Sequence, residues 1–220
     1  MIFSLIISLL GLVFLLINCV LFYTLSKNKH VLYKIIMLYL TLLLLIESVC
    51  NYIGFLYPNS NFFLSHYYFV FQFLFLSLFF YNLFAHRYLK NAVLFLLILE
   101  LSILGFQYYT KPSIYWYFNN FEIGSTSVLL ILYSAIYLII NLKKGMHPYY
   151  YFCAGLIIYL SSSSLIFLSG NTELVFFKEP FFVDIWILNS LFYILYQFLI
   201  YKEWNYLKNN CDEIIESRAA

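Results

Sequence analysis

Two acidic side chains lie deep inside apolar stretches of this sequence, where an ionisable group is costly. Glu47 and Glu100 are both embedded in segments rich in Leu, Ile and Val. A charged side chain at the centre of a bilayer costs about 2.5–3.5 kcal/mol on insertion scales. Neither acid has a Lys or Arg at a matching depth, so salt bridges cannot neutralise both of them. Acids in this position bind cations, relay protons or form hydrogen bonds between helices.

Other polar residues extend this pattern towards one end of the same stretches. Asn51 follows Glu47 by one helical turn, and further acids or amides lie near the starts of the fifth and seventh stretches. If these stretches form one bundle, the polar residues predict an outward-facing cavity that binds a small ligand or cation, or relays protons. The six candidates are Glu47, Asn51, Glu100, Glu122, Asp184 and Asn189.

A purely structural interpretation of the same residues remains open. Asn and Gln side chains inside a membrane commonly form hydrogen bonds between helices, each contributing about 0.6–2 kcal/mol. Glu122 and Asp184 lie near predicted helix starts, where the helix dipole favours an acid, so helix capping is the favoured role for both. For Glu47 and Glu100 the structural and functional interpretations are evenly balanced.

The elements that position these residues are membrane-spanning helices. Of the 220 residues, 64% are hydrophobic and only 10% are charged, whereas roughly a quarter of a soluble chain is charged. A hydrocarbon core of about 30 Å requires roughly 20 apolar residues per helix. We therefore predict an all-α integral membrane seven-helix bundle over residues 1–201. A short cytoplasmic tail, 202–220, follows, and it could extend the last helix or lie along the membrane surface. The predicted spans are 3–25, 34–57, 67–85, 91–109, 124–142, 149–168 and 181–201.

The distribution of positive charge predicts the orientation. Cytoplasmic loops of membrane proteins are enriched in Lys and Arg. Of the 12 Lys and Arg residues, only Lys111 and Lys178 fall in one set of connections. The opposite set holds Lys27, Lys29, Lys34, Arg87, Lys90, Lys143, Lys144, Lys202, Lys208 and Arg218. We therefore expect the amino terminus outside, the carboxyl terminus in the cytoplasm, and the first span retained as a signal anchor. The expected location is the bacterial cytoplasmic (inner) membrane, as a multi-pass protein.

Catalytic and metal-binding motifs are missing from the sequence. The serine run at 161–164 is not part of a G-x-S-x-G motif, and no predicted span contains a histidine base. The four histidines and four cysteines show no H-x-x-x-H or C-x-x-C spacing. A net charge of +2 gives no concentrated basic face for nucleic acid. We therefore predict a protein that is not an enzyme and has no cofactor, metal or nucleic-acid partner.

Two large families of seven-helix proteins are excluded by specific residues. The sequence at 86–88 has His86 where G-protein-coupled receptors carry an acid before Arg-Tyr. The sequence that follows Asn189 has Ser190 where those receptors carry a proline. A retinal protein requires a lysine in its last span, and residues 181–201 contain none.

The chain resembles small uncharacterised bacterial seven-helix membrane proteins. These share an acid in the second span, a Phe-Asn…Glu element before the fifth and a Trp-x-x-Asn element in the last. The matching residues are Glu47, Phe118, Asn119, Glu122, Trp186 and Asn189. The resemblance implies a membrane component found near sensor kinases, and it favours a signalling role.

Three functions remain open from the sequence. The first is a receptor-like or accessory module that senses a ligand or the bilayer in its outward cavity and acts through a membrane or cytoplasmic partner, such as a sensor kinase. The second is a small proton-coupled transporter that uses Glu47 and Glu100 as protonatable sites. The third is a structural subunit of a larger membrane complex.

Overall fold

The computed structural model describes residues 2–26, 30–57, 61–144, 147–169, 175–177 and 183–210. Long helices dominate these residues: α1 (Ile2–Ser26), α2 (Val31–Leu56), α3 (Leu64–Leu83), α4 (Arg87–Thr110), α5 (Asn120–Asn141), α6 (Tyr150–Leu168) and α7 (Ile185–Asn209). Short 3₁₀ helices follow α4 (Pro112–Trp116) and α5 (Leu142–Lys144). Two short antiparallel strands, β1 (Val175–Phe177) and β2 (Val183–Asp184), precede α7.

The prediction of seven membrane-spanning helices is confirmed for length and composition. The described residues contain seven helices of 19 to 26 residues that are each apolar enough to cross a bilayer. The sequence did not predict the strand pair, and it placed the start of the last span at 181 rather than at Ile185. The segment Val175–Phe177 consists of a β-branched residue and two aromatics, which favour extended structure.

Six of the helices form a closed ring, and the seventh lies outside it. Neighbours around the ring are α1, α2, α3, α5, α6 and α7, and α7 packs back against α1. Helix α4 packs mainly on α3 and has the smallest buried share of the seven. Residues on α4 are therefore separated from the interior of the ring.

Contacts at the two ends of the bundle fit helices that alternate in direction. At one end, here the Glu122 face, His66 near the start of α3 meets Tyr108 near the end of α4 and Glu122 at the start of α5. At the other end, here the Glu203 face, Trp204 Nε1 donates to the Leu21 carbonyl, 3.0 Å away.

The interior of the ring is built from tyrosines whose hydroxyls pair with one another. The hydroxyls of Tyr39 and Tyr196 lie 3.3 Å apart, and Gln72 Nε2 donates to Tyr39 over 3.1 Å. The hydroxyls of Tyr68 and Tyr159 lie 2.9 Å apart. The rings of Tyr159 and Tyr196 stack with centroids 5.1 Å apart. Helices α2, α3, α6 and α7 therefore share one aromatic hydrogen-bonded core.

Gly155 allows α6 to approach this core closely. A Cβ atom at Gly155 would lie 3.0 Å from Tyr196 Cδ2 and 3.2 Å from Leu199 Cβ. We expect Gly155→Ala to lower the free energy of unfolding by about 1–3 kcal/mol, because the helices must separate to accept the methyl group. Thermal unfolding in detergent measures the loss. The matched control is Gly105→Ala, where nothing lies within 4 Å and alanine should be neutral or stabilising.

Candidate functional site

The carboxylate of Glu122 is completely buried where α3, α4 and α5 meet. The Tyr108 hydroxyl donates to Glu122 Oε2, and His66 Nδ1 lies 3.4 Å from Glu122 Oε1. The Tyr108 hydroxyl also lies 2.7 Å from His66 Nδ1. His66 is 5% exposed and Glu122 is 0% exposed, whereas Tyr108 is half-buried. The three residues therefore tie three helices together at the Glu122 face.

Hydrogen-bond chemistry determines where one proton of this cluster lies. His66 Nε2 faces the Tyr115 carbonyl at 3.1 Å, and a carbonyl can only accept, so Nε2 carries a hydrogen. The opposite nitrogen, Nδ1, faces Tyr108 and Glu122. The Tyr108 hydroxyl has a single hydrogen, so while it donates to Glu122 Oε2 it can only accept from His66 Nδ1.

Asn119 is the residue that caps α5. Its Oδ1 accepts from the Glu122 backbone N–H at 3.4 Å, and its Nδ2 donates to Gln107 Oε1 at 2.9 Å. The sequence favoured helix capping as the role of Glu122. In the structure the Glu122 carboxylate instead contacts His66 and Tyr108, and only its position in the first turn benefits from the helix dipole.

Two cavities are lined by residues of this cluster or by their neighbours. The larger one, here the aromatic cavity, has a volume of about 650 Å³. It is lined by His66, Tyr67, Val70, Phe71, Tyr108, Pro112, Tyr115 and Trp116. The second, of about 370 Å³, is lined by Gln107, Ser113, Ile114 and residues 117–121. Both volumes lie in the range of small-molecule sites, and the aromatic cavity combines an apolar wall with a few polar groups.

The Phe and Trp of the resemblance meet beside this site. The Phe118 ring lies 5.7 Å from Trp186 and 5.4 Å from Phe167, centroid to centroid. Phe62 completes the group at 4.9 Å from Phe118. The connections before α3 and α5 are thus joined to the facing ends of α6 and α7 through aromatic packing.

Glu47 and Asn51 form a separate group on α2. Ser8 Oγ donates to Asn51 Oδ1 at 2.8 Å, and Asn51 Nδ2 donates to the Glu47 backbone carbonyl at 2.9 Å. The Glu47 side chain is half-buried, and its carboxylate has no hydrogen-bond partner among the described residues. This pair belongs to the ring rather than to the Glu122 cluster.

The remaining predicted site residues lie in further places. Glu100 is 6% exposed on α4 and accepts from Ser125 Oγ at 2.5 Å. Asn189 is half-buried on α7, and its Oδ1 atom is buried. Asp184 is the last residue of β2, and its side chain lies outside the described part of the chain. The contacts made by the described side chains thus do not join the predicted residues into one ring.

Sequence reasoning missed the role of Glu203. It was placed in the tail after residue 201, but α7 continues to Asn209 and Glu203 is 0% exposed. Its carboxylate accepts the backbone N–H groups of Tyr149 at 2.6 Å, Tyr151 at 3.0 Å and Phe152 at 3.3 Å. The available signal is the spacing of Ile200, Glu203 and Leu207, which continues one helix face past the predicted end.

Sequence reasoning also did not assign functional roles to His66 and Tyr108. His66 was placed in an outside connection, whereas it lies in the first turn of α3 and points into the bundle. Tyr108 was one of 23 tyrosines and had no distinguishing neighbour in the sequence. Its proximity to Glu122 could not be read from spacing alone.

Metal ligands are not grouped in the described part of the chain. No set of three or more His, Cys, Asp or Glu side chains there could hold a metal ion. Cys19, Cys50 and Cys153 are free thiols on α1, α2 and α6. Cys211 lies outside the described residues.

Comparison with known proteins identifies no relative: no protein family, curated protein or solved structure matches this chain. The described fold and site define a multi-pass helical membrane protein with a buried His-Tyr-Glu cluster. The arguments for function below therefore depend on the geometry of this chain.

Proposed function

We propose that the protein is a receptor-like or accessory membrane module that binds a small aromatic molecule in the aromatic cavity and acts through a partner. One observation carries the proposal: two residues of the cavity wall, His66 and Tyr108, are the same residues that hold Glu122 and join three helices. A ligand in this cavity therefore touches the bonds that position α3, α4 and α5.

The cavity wall favours an aromatic ligand with one hydrogen-bonding group. Phe71 and Trp116 supply apolar ring surface, and the paired hydroxyls of Tyr67 and Tyr115, 3.0 Å apart, supply polar atoms. Trp116 is 64% exposed, so the cavity is open at its rim. Aromatic rings prefer to pack edge-to-face or offset, which a planar ligand can do with these side chains.

The link from ligand to helices runs through the 3₁₀ helix Pro112–Trp116. The Tyr115 side chain lines the cavity, and the Tyr115 carbonyl accepts from His66 Nε2. A ligand that holds this short helix in one position also holds His66 against Tyr108 and Glu122. A ligand can shift a conformational equilibrium only by its difference in affinity for the two states, and this contact supplies such a difference.

We further propose that the Glu122 face is outside the cytoplasm and that the membrane is the bacterial inner membrane. Among the described side chains, those of Lys34, Arg87, Lys90, Lys143, Lys202 and Lys208 belong to the ends of helices at the Glu203 face, and that of Lys111 belongs to the opposite end. At the Glu203 face, Lys90 Nζ lies 5.9 Å from the centroid of the Tyr81 ring, and Lys208 Nζ lies 5.1 Å from the centroid of the Trp204 ring. Cations packed on aromatic rings are typical of the membrane interface.

The proposed partner binds at the Glu203 face, where a sensor kinase or another membrane assembly would detect a change in helix position. Purification from native membranes in mild detergent, with mass spectrometry of proteins that co-purify in stoichiometric amounts, identifies it.

The transporter alternative requires Glu47 and Glu100 to cooperate. They lie on α2 and α4, and Glu100 already accepts from Ser125, which weighs against a shared site.

We expect benzylamine and benzyl alcohol to bind saturably to the purified protein and to change the fluorescence of Trp116. The rings fit the aromatic cavity, and the amine tests whether the nearby buried carboxylate favours a cation. Tryptophan fluorescence, excited at a wavelength longer than the ligands absorb, measures binding. The part of the fluorescence change that disappears in Trp116→Phe is the part reported by Trp116. Phe71→Ala should weaken binding about tenfold, because it removes a wall of the cavity.

The matched control for Phe71→Ala is Phe106→Ala. Phe106 is 70% exposed on α4 and does not line the cavity, so its removal should leave the affinity unchanged. Equal, unsaturable partitioning of both compounds into wild type and Phe71→Ala would contradict the proposal.

A further inference from the structure

The Glu47 carboxylate lies in an uncompensated environment within the ring. It accepts no hydrogen bond from any described residue, and five ionisable side chains that interact with it electrostatically are phenols or a thiol. They come from α2, α3, α6 and α7 and are Tyr39, Cys50, Tyr68, Tyr159 and Tyr193. On α1, the Cys19 thiol interacts electrostatically with Tyr193. None of these groups supplies a positive charge.

Helix α7 presents a row of unpartnered polar atoms to this part of the interior. Asn189, Tyr193 and Gln197 are spaced four residues apart, so they share one helix face at intervals of about 6 Å. Each has a buried polar atom that finds no hydrogen-bond partner in the described part of the chain: Asn189 Oδ1, the Tyr193 hydroxyl and Gln197 Nε2. Tyr193 is 7% exposed and Gln197 is 0% exposed. Buried polar atoms of this kind are normally satisfied by bound water or an ion.

Asn18 of α1 adds an unpartnered acceptor opposite this row. Its Nδ2 donates to the Gln197 backbone carbonyl at 2.9 Å and to Gln197 Oε1 at 2.8 Å. Because a backbone carbonyl only accepts, this contact fixes which end of the amide is nitrogen. Asn18 Oδ1 is therefore an acceptor, and it has no partner among the described residues. Together with Glu47 and Asn189 Oδ1 it supplies acceptor atoms without a partner there, which suits a cation with attached water.

Burial in the ring is uneven between the two faces. The buried residues of α2 end at Leu43, and Glu47 and Asn51 beyond it are half-buried towards the Glu122 face. Towards the Glu203 face, Leu40 and Ile200 are both 0% exposed. This difference favours entry of an ion to Glu47 from the Glu122 face.

We propose that Glu47 and Tyr193, with Asn189 and bound water, form a site for one monovalent cation, either a proton or an alkali ion, entered from the Glu122 face. The site is distinct from the aromatic cavity and does not depend on the proposed ligand. The Glu47 carboxylate supplies the charge, and the Tyr193 hydroxyl and the side-chain oxygen Oδ1 of Asn189 supply neutral ligands. The buried side chains of Leu40 and Ile200 towards the Glu203 face favour a binding site over a path across the bundle.

The test measures the unfolding temperature of the purified protein in detergent against sodium and against pH. In alkaline buffer, replacing choline chloride by sodium chloride at constant ionic strength should raise the unfolding temperature of wild type by several degrees if the ion is sodium. If the ion is a proton, acidification should raise it and sodium should not. In either case Glu47→Gln should lose that response, because a neutral amide needs no counter-ion.

Two further variants keep the test decisive. Glu100→Gln is the matched acid-to-amide control and should respond to cations as wild type does, because Glu100 lies on α4 outside the ring. If Glu47→Gln does not fold, Tyr193→Phe removes one oxygen and should shift half-saturation to a several-fold higher cation concentration. A wild type that is insensitive to both sodium and pH, or a Glu47→Gln variant that keeps the full response, would overturn the proposal.

Discussion

Replacing Glu203 with alanine is expected to lower the free energy of unfolding by roughly 3 kcal/mol or more, because a buried donor left without its partner costs about 1–3 kcal/mol. Three backbone N–H groups at the start of α6 lose their acceptor together, those of Tyr149, Tyr151 and Phe152. Tyr149 also has a left-handed backbone, φ 68°, which these contacts help to hold. Thermal unfolding in detergent, followed by circular dichroism, measures the loss.

The neighbouring residue provides the control for this prediction. Lys202 is exposed and lies 5.5 Å from the Phe198 ring centroid, so Lys202→Ala should change the stability by less than about 1 kcal/mol. Glu203→Gln keeps one acceptor oxygen and should fall between wild type and alanine. If Glu203→Ala unfolds at the temperature of wild type, water replaces the carboxylate at the start of α6, and the contact does not anchor that helix to α7.

The seven helices could be predicted because each connection interrupts the apolar run with charge or a turn former. Lys111 and Pro112 mark the end of α4, and Lys143 and Lys144 follow α5. Counting consecutive apolar residues does not detect the part of a helix that continues with polar residues. Helix α7 therefore extends eight residues past the predicted end at 201, with Glu203 buried against α6 and not in solvent.

The site could be predicted only where its residues are close in sequence. Asn119 and Glu122 lie three residues apart at a helix start, and both were recognised as polar residues near the fifth span. His66 and Tyr108 come from two other helices, and no spacing rule brings them to Glu122. The position of α4 outside the ring was equally hidden, since the length of a helix does not reveal its neighbours. Glu100 and Glu47 therefore looked like partners in the sequence but are separated in the fold.

The tyrosines show what could not be predicted, because no role was assigned from the sequence to any of the 23. In the fold, five of them contribute hydroxyls to the polar interior: Tyr39, Tyr68, Tyr159, Tyr193 and Tyr196. Two of these pack against glycines, Tyr196 on Gly155 and Tyr193 on Gly11. A hydroxyl buried among helices must find a partner, so pairs such as Tyr68 and Tyr159 are the expected solution in three dimensions.

Replacing Glu122 with asparagine or serine is expected to lower the free energy of unfolding by about 2–4 kcal/mol, because both His66 Nδ1 and Tyr108 lose a buried charged partner. Either substitute is acceptable in the first turn of a helix, and the cap of α5 is Asn119. A residue that served only the helix start would therefore tolerate both changes. Thermal unfolding in detergent, in the presence and absence of benzylamine, measures the effect on stability and on the aromatic cavity together.

The conservative variant separates the side-chain cluster from the helix dipole. Glu122→Gln removes the charge but keeps an oxygen that accepts from Tyr108, so it should recover most of the stability that asparagine loses. Tyr108→Phe changes no residue of α5 and should still lower the free energy of unfolding. The double variant with Glu122→Gln should lose less stability than the sum of the two single losses, because contacting residues are coupled. If asparagine is as stable as wild type and the double variant is strictly additive, Glu122 acts through the helix start alone. The cluster would then be unable to transmit ligand binding from the cavity to α5.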